Sequence, residues 1–394
     1  MKSKSKILLV ALVFGACCCS PKGDGSVTIV DVGSSKMAVL SLNELKSDVV
    51  KIPLSSLVEN CELVQLETKE GIFTNPWFTT ITDKYIGIRE NRRDPFKLFN
   101  RSGKFLCHVG SVGRGPGEYA IGPYDAIIDE QNELIYLSPF SGNNILVYNT
   151  SGQFVKDIVA PFSLNKAKIF LSANILTVVH MPFPNTGAMV LQFDVNTGTV
   201  LKEVAPLEHL IVNNFDHDII NTRNAPEIFD FAFMNCDTLY HFDLKSNIIR
   251  PAFKMAYKSS EKPWLVHFQI NKDLFLTNVS FLGADPNTGR QKYIPRGLVA
   301  TDIKNRVSSY ITVVNDYYGN LPVKVGYFTF FHGYYMLNVQ PEELVEDIEN
   351  RLAERNCTEN DKQILNKTLS TLKEGANNVV FIGKLKSEVK SKLW

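Results

Sequence analysis

Residues 110–158 read GSVGRGPGEYAIGPYDAIIDEQNELIYLSPFSGNNILVYNTSGQFVKDI and compress four short strands into one unit. Gly122 to Ile128 is a mostly apolar run suited to an inner strand, and Glu133 to Leu137 follows a polar turn. Ser141-Gly142-Asn143-Asn144 is a turn signal before a third strand, Ile145 to Tyr148. Asn149-Thr150-Ser151-Gly152 is a hairpin loop, with Gly152 suited to positive φ. Gln153 to Val159 then alternates polar and apolar residues, as an outer strand with one wet face does. Four strands joined only by short turns leave no room for βαβ crossovers, so the unit is an antiparallel meander.

The unit recurs. Third-strand, turn, fourth-strand patterns start near residues 97, 145, 190, 239 and 298, at spacings of 48, 45, 49 and 59. A half copy, NVVFIGKL over Asn378 to Leu385, lacks an outer strand. Glu62 to Thr68, ELVQLET, is the segment expected to supply it, so that both chain ends pair in one blade. Closure of that kind removes exposed sheet edges. Glu62 to Lys386, less a helical insert, holds roughly six units at 40–50 residues each. The expectation is an all-β, six-bladed β-propeller over 51–386, with a polar tail at 387–394. Five or seven blades stay open, because the fifth unit is long and Ala205 to Pro226 is irregular.

Pro341 to Gly375 is helical. Pro341 suits a first helical position, and Glu342 and Glu343 favour the positive end of the dipole. Leu344, Ile348 and Leu352 share a face. Thr358 to Asp361 is a capping box for a second helix lined by Ile364, Leu365, Leu369 and Leu372. A helical hairpin over 341–375, inserted in the last blade, follows. It reads as a lid packed on that blade; a partner-docking surface or a cap beside the channel is the functional alternative.

Residues 1–16 read as a targeting segment: Lys2, Lys4 and Lys6 precede an apolar core, Ile7 to Phe14, too short to span a bilayer. Gly15-Ala16-Cys17 resembles the cleavage site of a bacterial lipoprotein, in which the cysteine is lipidated. Cys18 and Cys19 compete, and Cys17 is preferred because two small residues precede it. A plain secretory signal is the alternative. Residues 17–50 then read as a lipidated polar tether. The chain without its first 16 residues carries 39 basic and 41 acidic residues, with no charged tract that suggests nucleic acid. The expected location is the outer membrane or cell surface. Four cysteines, at 61, 107, 236 and 357, show no CxxC spacing, and buried thiols are the expectation over disulfides.

The chain resembles the NHL-type propellers, and more closely the six-bladed propeller lipoproteins of unknown function found in Gram-negative gut-type bacteria. The resemblance rests on IPLSSLVENCELVQLET at 52–68, GRGPGEY at 113–119, NNILVYNTSGQFV at 143–155 and NNVVFIGKLK at 377–386. It implies a fold and a location, and no reaction. Ser138 stands where NHL blades usually carry Asp after the second strand.

Two clusters carry chemistry on paper. In GRGPGEY, backbone N–H groups and Arg114 would converge on an anion, although Pro116 removes a donor. The simpler account is a chain crossing anchored by Glu118 and Tyr119. Asp216-His217-Asp218 is the densest set of metal-ligand types, and a solvated loop is the simpler account. The histidines at 108, 180, 209, 241, 267 and 332 form no HExxH or HxH, and no serine sits in a GxSxG elbow. No cofactor is expected; whether a metal binds stays open. The leading expectation is a non-catalytic binding or scaffold propeller for a protein, peptide or glycan. The alternative is a lyase or hydrolase with its site at the channel mouth. Two or three converging His, Asp or Glu side chains would favour the enzyme, and an apolar or Lys- or Asn-lined channel would count against it.

Overall fold

A computed structural model describes residues 25–387, apart from 34, 91–92, 216, 226–227, 235, 287 and 327. Six blades surround a common axis, and A to D here denote the strands of a blade from inside outwards. The first blade is Phe78–Ile81, Tyr85–Arg89, Phe96–Asn100 and Phe105–Val109. The second is Asp125–Asp129, Leu134–Ser138, Ser141–Asn149 and Phe154–Asn165; the third is Lys168–Ser172, Ile175–Val179, Val190–Asp194 and Val200–Val204. The fourth opens on the short Ile219–Ile220 and continues through Ile228–Phe233, Thr238–Asp243 and Ile248–Ala256. The fifth is Trp264–Gln269, Leu274–Ala284, Gln291–Asp302 and Val307–Asn315. The sixth takes Phe330–Phe331, Tyr334–Val339 and Val379–Lys384 from the end of the chain and Glu62–Gln65 from its beginning.

The C–D hairpins explain why the repeat is visible in sequence. Strand C ends on Asn100, Asn149, Asp194, Asp243 or Asp302 in blades 1 to 5. That side chain accepts the backbone N–H groups of the turn that follows, two or three residues on. Gly152 completes one such turn at φ 81°, where a Cβ would meet the His108 carbonyl oxygen at 2.2 Å. Apolar residues then pack between neighbouring blades: Ile145 and Val147 of blade 2 share a cluster with Leu176 and Phe193 of blade 3.

Ring closure occurs where expected. Glu62–Gln65 pairs antiparallel with the C strand of blade 6, with Gln65 opposite Val379 and Glu62 opposite Ile382. Asn377 locks the seam. Its amide donates to the carbonyls of Glu67 and Ile72 at 3.0 and 2.9 Å, and its oxygen accepts from Thr74 N–H at 3.0 Å.

The tether expected over 17–50 is corrected from Ser26 onward. Val27–Val32 and Ser35–Ser41 form a hairpin whose second strand runs parallel to the D strand of blade 4, with Ala38 opposite Phe253. Val49–Pro53 then runs parallel to the D strand of blade 5, with Ile52 opposite Val313. The N-terminal segment thus passes along the rims of blades 4, 5 and 6 in turn, covering strand edges that would otherwise template aggregation. The polar residues that suggested a tether alternate with Val27, Ala38, Leu40 and Leu42, which are buried. Residues 1–24 and 388–394, with Cys17 and the targeting segment, lie outside the described residues.

The helical insert, α1 (Pro341–Ala353) and α2 (Glu359–Leu369), lies between strands B and C of blade 6. The Thr358–Asp361 capping box is present. Leu344, Ile348 and Leu365 join a core cluster shared with blades 5 and 6, as a packed lid does. Arg351 fixes the pair of helices, donating to the Gly319 carbonyl at 3.0 Å and pairing with Asp361 at 3.0 Å. The four folded cysteines are free thiols, and burial pushes that of Cys61 up to about 12.

Candidate functional site

The GRGPGEY loop supplies its own anion. The Glu118 carboxylate accepts from Gly115 N–H at 2.7 Å and Ser111 hydroxyl at 3.1 Å, and the backbone donor at Gly115 holds it below the usual carboxylate range. Tyr119 accepts Phe96 N–H at 2.9 Å and donates to the Val109 carbonyl at 2.8 Å. The loop is therefore a crossing staple between blades 1 and 2. Arg114 is exposed on it.

Of the Asp216-His217-Asp218 cluster, His217 and Asp218 turn to different partners. Asp216 lies outside the described residues. The His217 ring contacts the Met234 carbonyl through Nδ1 at 3.3 Å. Asp218 instead turns to the centre of the ring, where it accepts from Tyr124 hydroxyl at 2.8 Å and pairs with Lys166 at 3.0 Å. Among the described residues, no three His, Cys, Asp or Glu side chains converge as a metal site would require.

Asp218 leads to the site that inspection of local motifs misses. In a propeller the D-to-A and B-to-C connections emerge on one face. There Asn75, Pro76 and Trp77 precede blade 1, Tyr124 precedes blade 2, Lys166 precedes blade 3 and Asp218 precedes blade 4. Together with Arg89, Glu90 and Phe140 from B–C connections they line a cleft of about 450 Å³, a size ordinary for small-ligand sites. Beneath it lies a cavity of about 80 Å³ lined by Trp77, Tyr124, Lys168, Asp218, Ile219, Ile220, Asn221, Met234 and Phe328. Trp77, Tyr124 and Asp218 belong to both spaces. A groove of about 440 Å³ over blade 2, between the GRGPGEY loop and Pro139–Asn144, shares Phe140 with the outer cleft.

The aromatic side chains form a collar. Trp77 is 41 % exposed and touches Tyr124 and Phe328 at ring separations of 5.7 and 6.1 Å. The Arg89 guanidinium lies 3.9 Å from the Trp77 ring centre, a cation–π contact. Below the collar the acids are already matched with cations. Glu90 pairs with Lys97, and Asp125 with Arg223 at 2.9 Å, while Asp218 is held by Lys166 and Tyr124. Asp230 accepts from Thr222 and Arg223 backbone N–H groups at 2.9 and 2.8 Å. Arg223 sits at φ +56° and His332 at φ +54°, and His332 N–H donates to the Thr222 carbonyl at 2.7 Å. The short inner segment of blade 4 is thereby tied to blades 2, 3 and 6.

Two buried polar residues that line the inner cavity have no side-chain partner among the described residues. Lys168 is 2 % exposed, and its ammonium makes no hydrogen bond or ion pair with any described residue. It faces the Tyr124 and Phe328 rings at 4.5 and 5.5 Å. Burial, opposed in part by Asp125, pushes its pKa down to about 8. Asn221 is 2 % exposed, and neither its amide nitrogen nor its oxygen has a partner. Buried polar groups in folded proteins are almost always paired, so orphans at the edge of a cavity mark a place that a ligand completes.

Comparison with known proteins agrees with the fold. A family described as a domain of unknown function, DUF4934, matches residues 37–384. No curated protein matches the sequence. A crystal structure of a candidate exported protein from Bacteroides fragilis is similar at a TM-score of 0.53 and 14 % identity, over 86 % of this chain and 100 % of that one. A member of the DUF4221 family from Bacteroides vulgatus is similar at 0.45 and 13 %, over 84 % and 98 %. At 14 % identity the likeness to the first concerns the fold alone.

Proposed function

The chain belongs to the DUF4934 family, whose function is unknown, and from that premise we propose that it is an exported, non-catalytic binding propeller whose ligand enters at the mouth of the central channel. The observation that carries this reading is the pair of stacked spaces at the mouth, collared by Trp77, Tyr124 and Phe328 and floored by Lys168 and Asn221. The groove that leads off over blade 2 suits an extended ligand, such as a glycan or peptide, with its end in the channel. The enzyme reading asked for converging His, Asp or Glu side chains; the Lys and Asn lining favours binding instead.

Export is supported by the lysine-rich and apolar start of the chain and by the likeness to a candidate exported protein. In this reading Cys17 carries a lipid. The eight residues 18–25 then span at most about 28 Å, so blade 4, whose rim receives Val27, is the blade held nearest the membrane.

Two measurements test the proposal. Labelling with an alkyne fatty acid should tag the wild-type protein and not C17A. A glycan and peptide array probed with the protein should give hits that W77A loses. Hits that W77A retains at full strength would move the ligand away from the channel mouth, and equal fatty-acid labelling of C17A would dismiss Cys17 as the anchor.

A further inference from the structure

We propose that the inner cavity is an anion site that takes the carboxylate of an acidic sugar on Lys168 and Asn221, while the sugar ring lies in the outer cleft against Trp77. This deepens the binding reading above and rests on it. The size of the two spaces sets the division of labour. The inner cavity of about 80 Å³ is about half the volume of the ~150 Å³ cavities that hold a benzene ring. It admits a headgroup of a few atoms and excludes a whole ring. The outer cleft has room for one.

The charge of the headgroup follows from the matching of partners. Asp125, Asp218 and Glu90 each have a cation in contact, so a cationic ligand would have to displace one. Lys168 offers an ammonium with three donors and no acceptor among the described residues, held between two ring faces. Asn221, directly after the short inner strand of blade 4, adds an amide N–H₂. A carboxylate accepts from the Lys168 ammonium and the Asn221 amide N–H₂ at once, through charge-assisted hydrogen bonds that are stronger in this low-dielectric setting than in water. Asp218, on the shared wall, does not oppose it with a full charge, because Lys166 and Tyr124 are bound to it.

The nature of the ring follows from the outer cleft. Its one exposed aromatic surface is the Trp77 indole, with Arg89 over one ring face; Tyr124 and Phe140 are less exposed, and the polar walls carry Asn75, Glu90, Lys166 and Asp218. One apolar platform among hydrogen-bonding groups matches a sugar ring, with its C–H face and its hydroxyls, better than a wholly aromatic acid. The simplest ligand with both parts is a hexuronic acid.

The test is calorimetric titration of the full chain with glucuronate and galacturonate, with glucose and inorganic phosphate as controls. The proteins are wild type, K168M, K168R, N221A and W77A, each checked for folding by circular dichroism. One uronate should bind wild type, roughly tenfold or more tighter than glucose. K168M should lose roughly tenfold or more, K168R should recover part of that loss, and N221A and W77A should weaken binding. Equal binding of glucose and uronate, unchanged in K168M, would overturn the acidic ligand and leave the channel-mouth reading standing. Phosphate binding on Lys168 without uronate binding would likewise overturn the sugar acid. Failure of every probe here, together with W77A-independent array hits, would remove both readings.

Discussion

Replacing Lys168 by methionine should stabilise the empty protein. Methionine keeps the length and apolar stem of lysine and removes the charge. Burial shifts the Lys168 pKa from an ordinary 10.5 to about 8. That difference corresponds to about 3 kcal/mol of unfavourable free energy when the group is held charged in the folded state. The charged groups that face it balance partly: Asp125 and Asp218 favour the ammonium, whereas Arg223 and Arg89 oppose it. The sign follows from the depressed folded value. Below pH 8 the lysine is charged in both states and the full penalty applies. Between pH 8 and 10.5 the folded protein has released the proton and the unfolded chain has not, so the penalty shrinks. Above 10.5 it is gone. Urea denaturation of wild type and K168M at pH 7 should therefore differ by up to about 3 kcal/mol in favour of K168M, or roughly 5 °C in thermal midpoint. The gap should shrink to under about 1 kcal/mol by pH 10. A saturating acidic ligand should narrow the gap by about 1.3 kcal/mol, because wild type gains about 2.7 kcal/mol at a hundred times its Kd and a K168M that binds tenfold more weakly gains about 1.4. If K168M is less stable than wild type at pH 7, or if the gap is independent of pH, Lys168 is a structural residue with a partner and the reasoning fails.

Asn377→Ala should cost about 3 kcal/mol in urea unfolding, because it strands Thr74 N–H and two seam carbonyls. A loss under 1 kcal/mol would show that the closure does not depend on it. Asp125→Asn should cost about 3–5 kcal/mol, since it leaves the Arg223 guanidinium buried without its counter-charge; unchanged stability would refute the pairing. Gly319→Ala should cost about 2 kcal/mol in calorimetry, because φ is +64° and a Cβ would meet Leu365 at 2.5 Å. Burial pushes His180, His241 and His267 down to about 4 and His332 to about 3. The unfolded chain then takes up protons first as pH falls below 6.5, so the urea midpoint should drop steadily from pH 6.5 towards 4. A flat profile over that range would show that these rings are not buried neutral.

The repeat was legible because each hairpin writes its own turn chemistry into the chain. Asn149, Asp194 and Asp243 cap the turns that follow them, and that use of Asn or Asp recurs at near-constant spacing. Closure was legible for a related reason: a blade that ends in one strand too few must borrow, and ELVQLET is an apolar run with no other partner. The rim strands at 27–53 look like a linker because polar content outweighs alternation. A parallel strand added to an outer edge keeps one face wet, so half its residues look like linker. The channel site was not legible at all. Trp77, Tyr124, Lys168 and Asn221 lie on the approaches to four different blades, and nothing in their spacing links them until the ring closes. The one local trace is Lys168 at the head of an apolar run, KIFLS, and a lysine opening a strand is usually a surface residue.

What separates this site from an ordinary polar core is therefore the state of its partners, and the rest of the molecule supplies the contrast. Lys97, Arg223 and Arg351 are also buried cations, and each has a carboxylate in contact. Lys166 is nearly as buried, and it is held by Asp218 and by the carbonyls of Phe215 and His217. In each of these four places the fold gives the buried cation an acceptor of its own. A structural role for Lys168 would call for the same treatment, and the two acids near enough to give it, Asp125 and Asp218, are bound to Arg223 and Lys166. Releasing either to Lys168 would leave another cation bare. An acceptor from outside the chain is the arrangement that matches every charge at once, and it is the one that the cavity has room to admit.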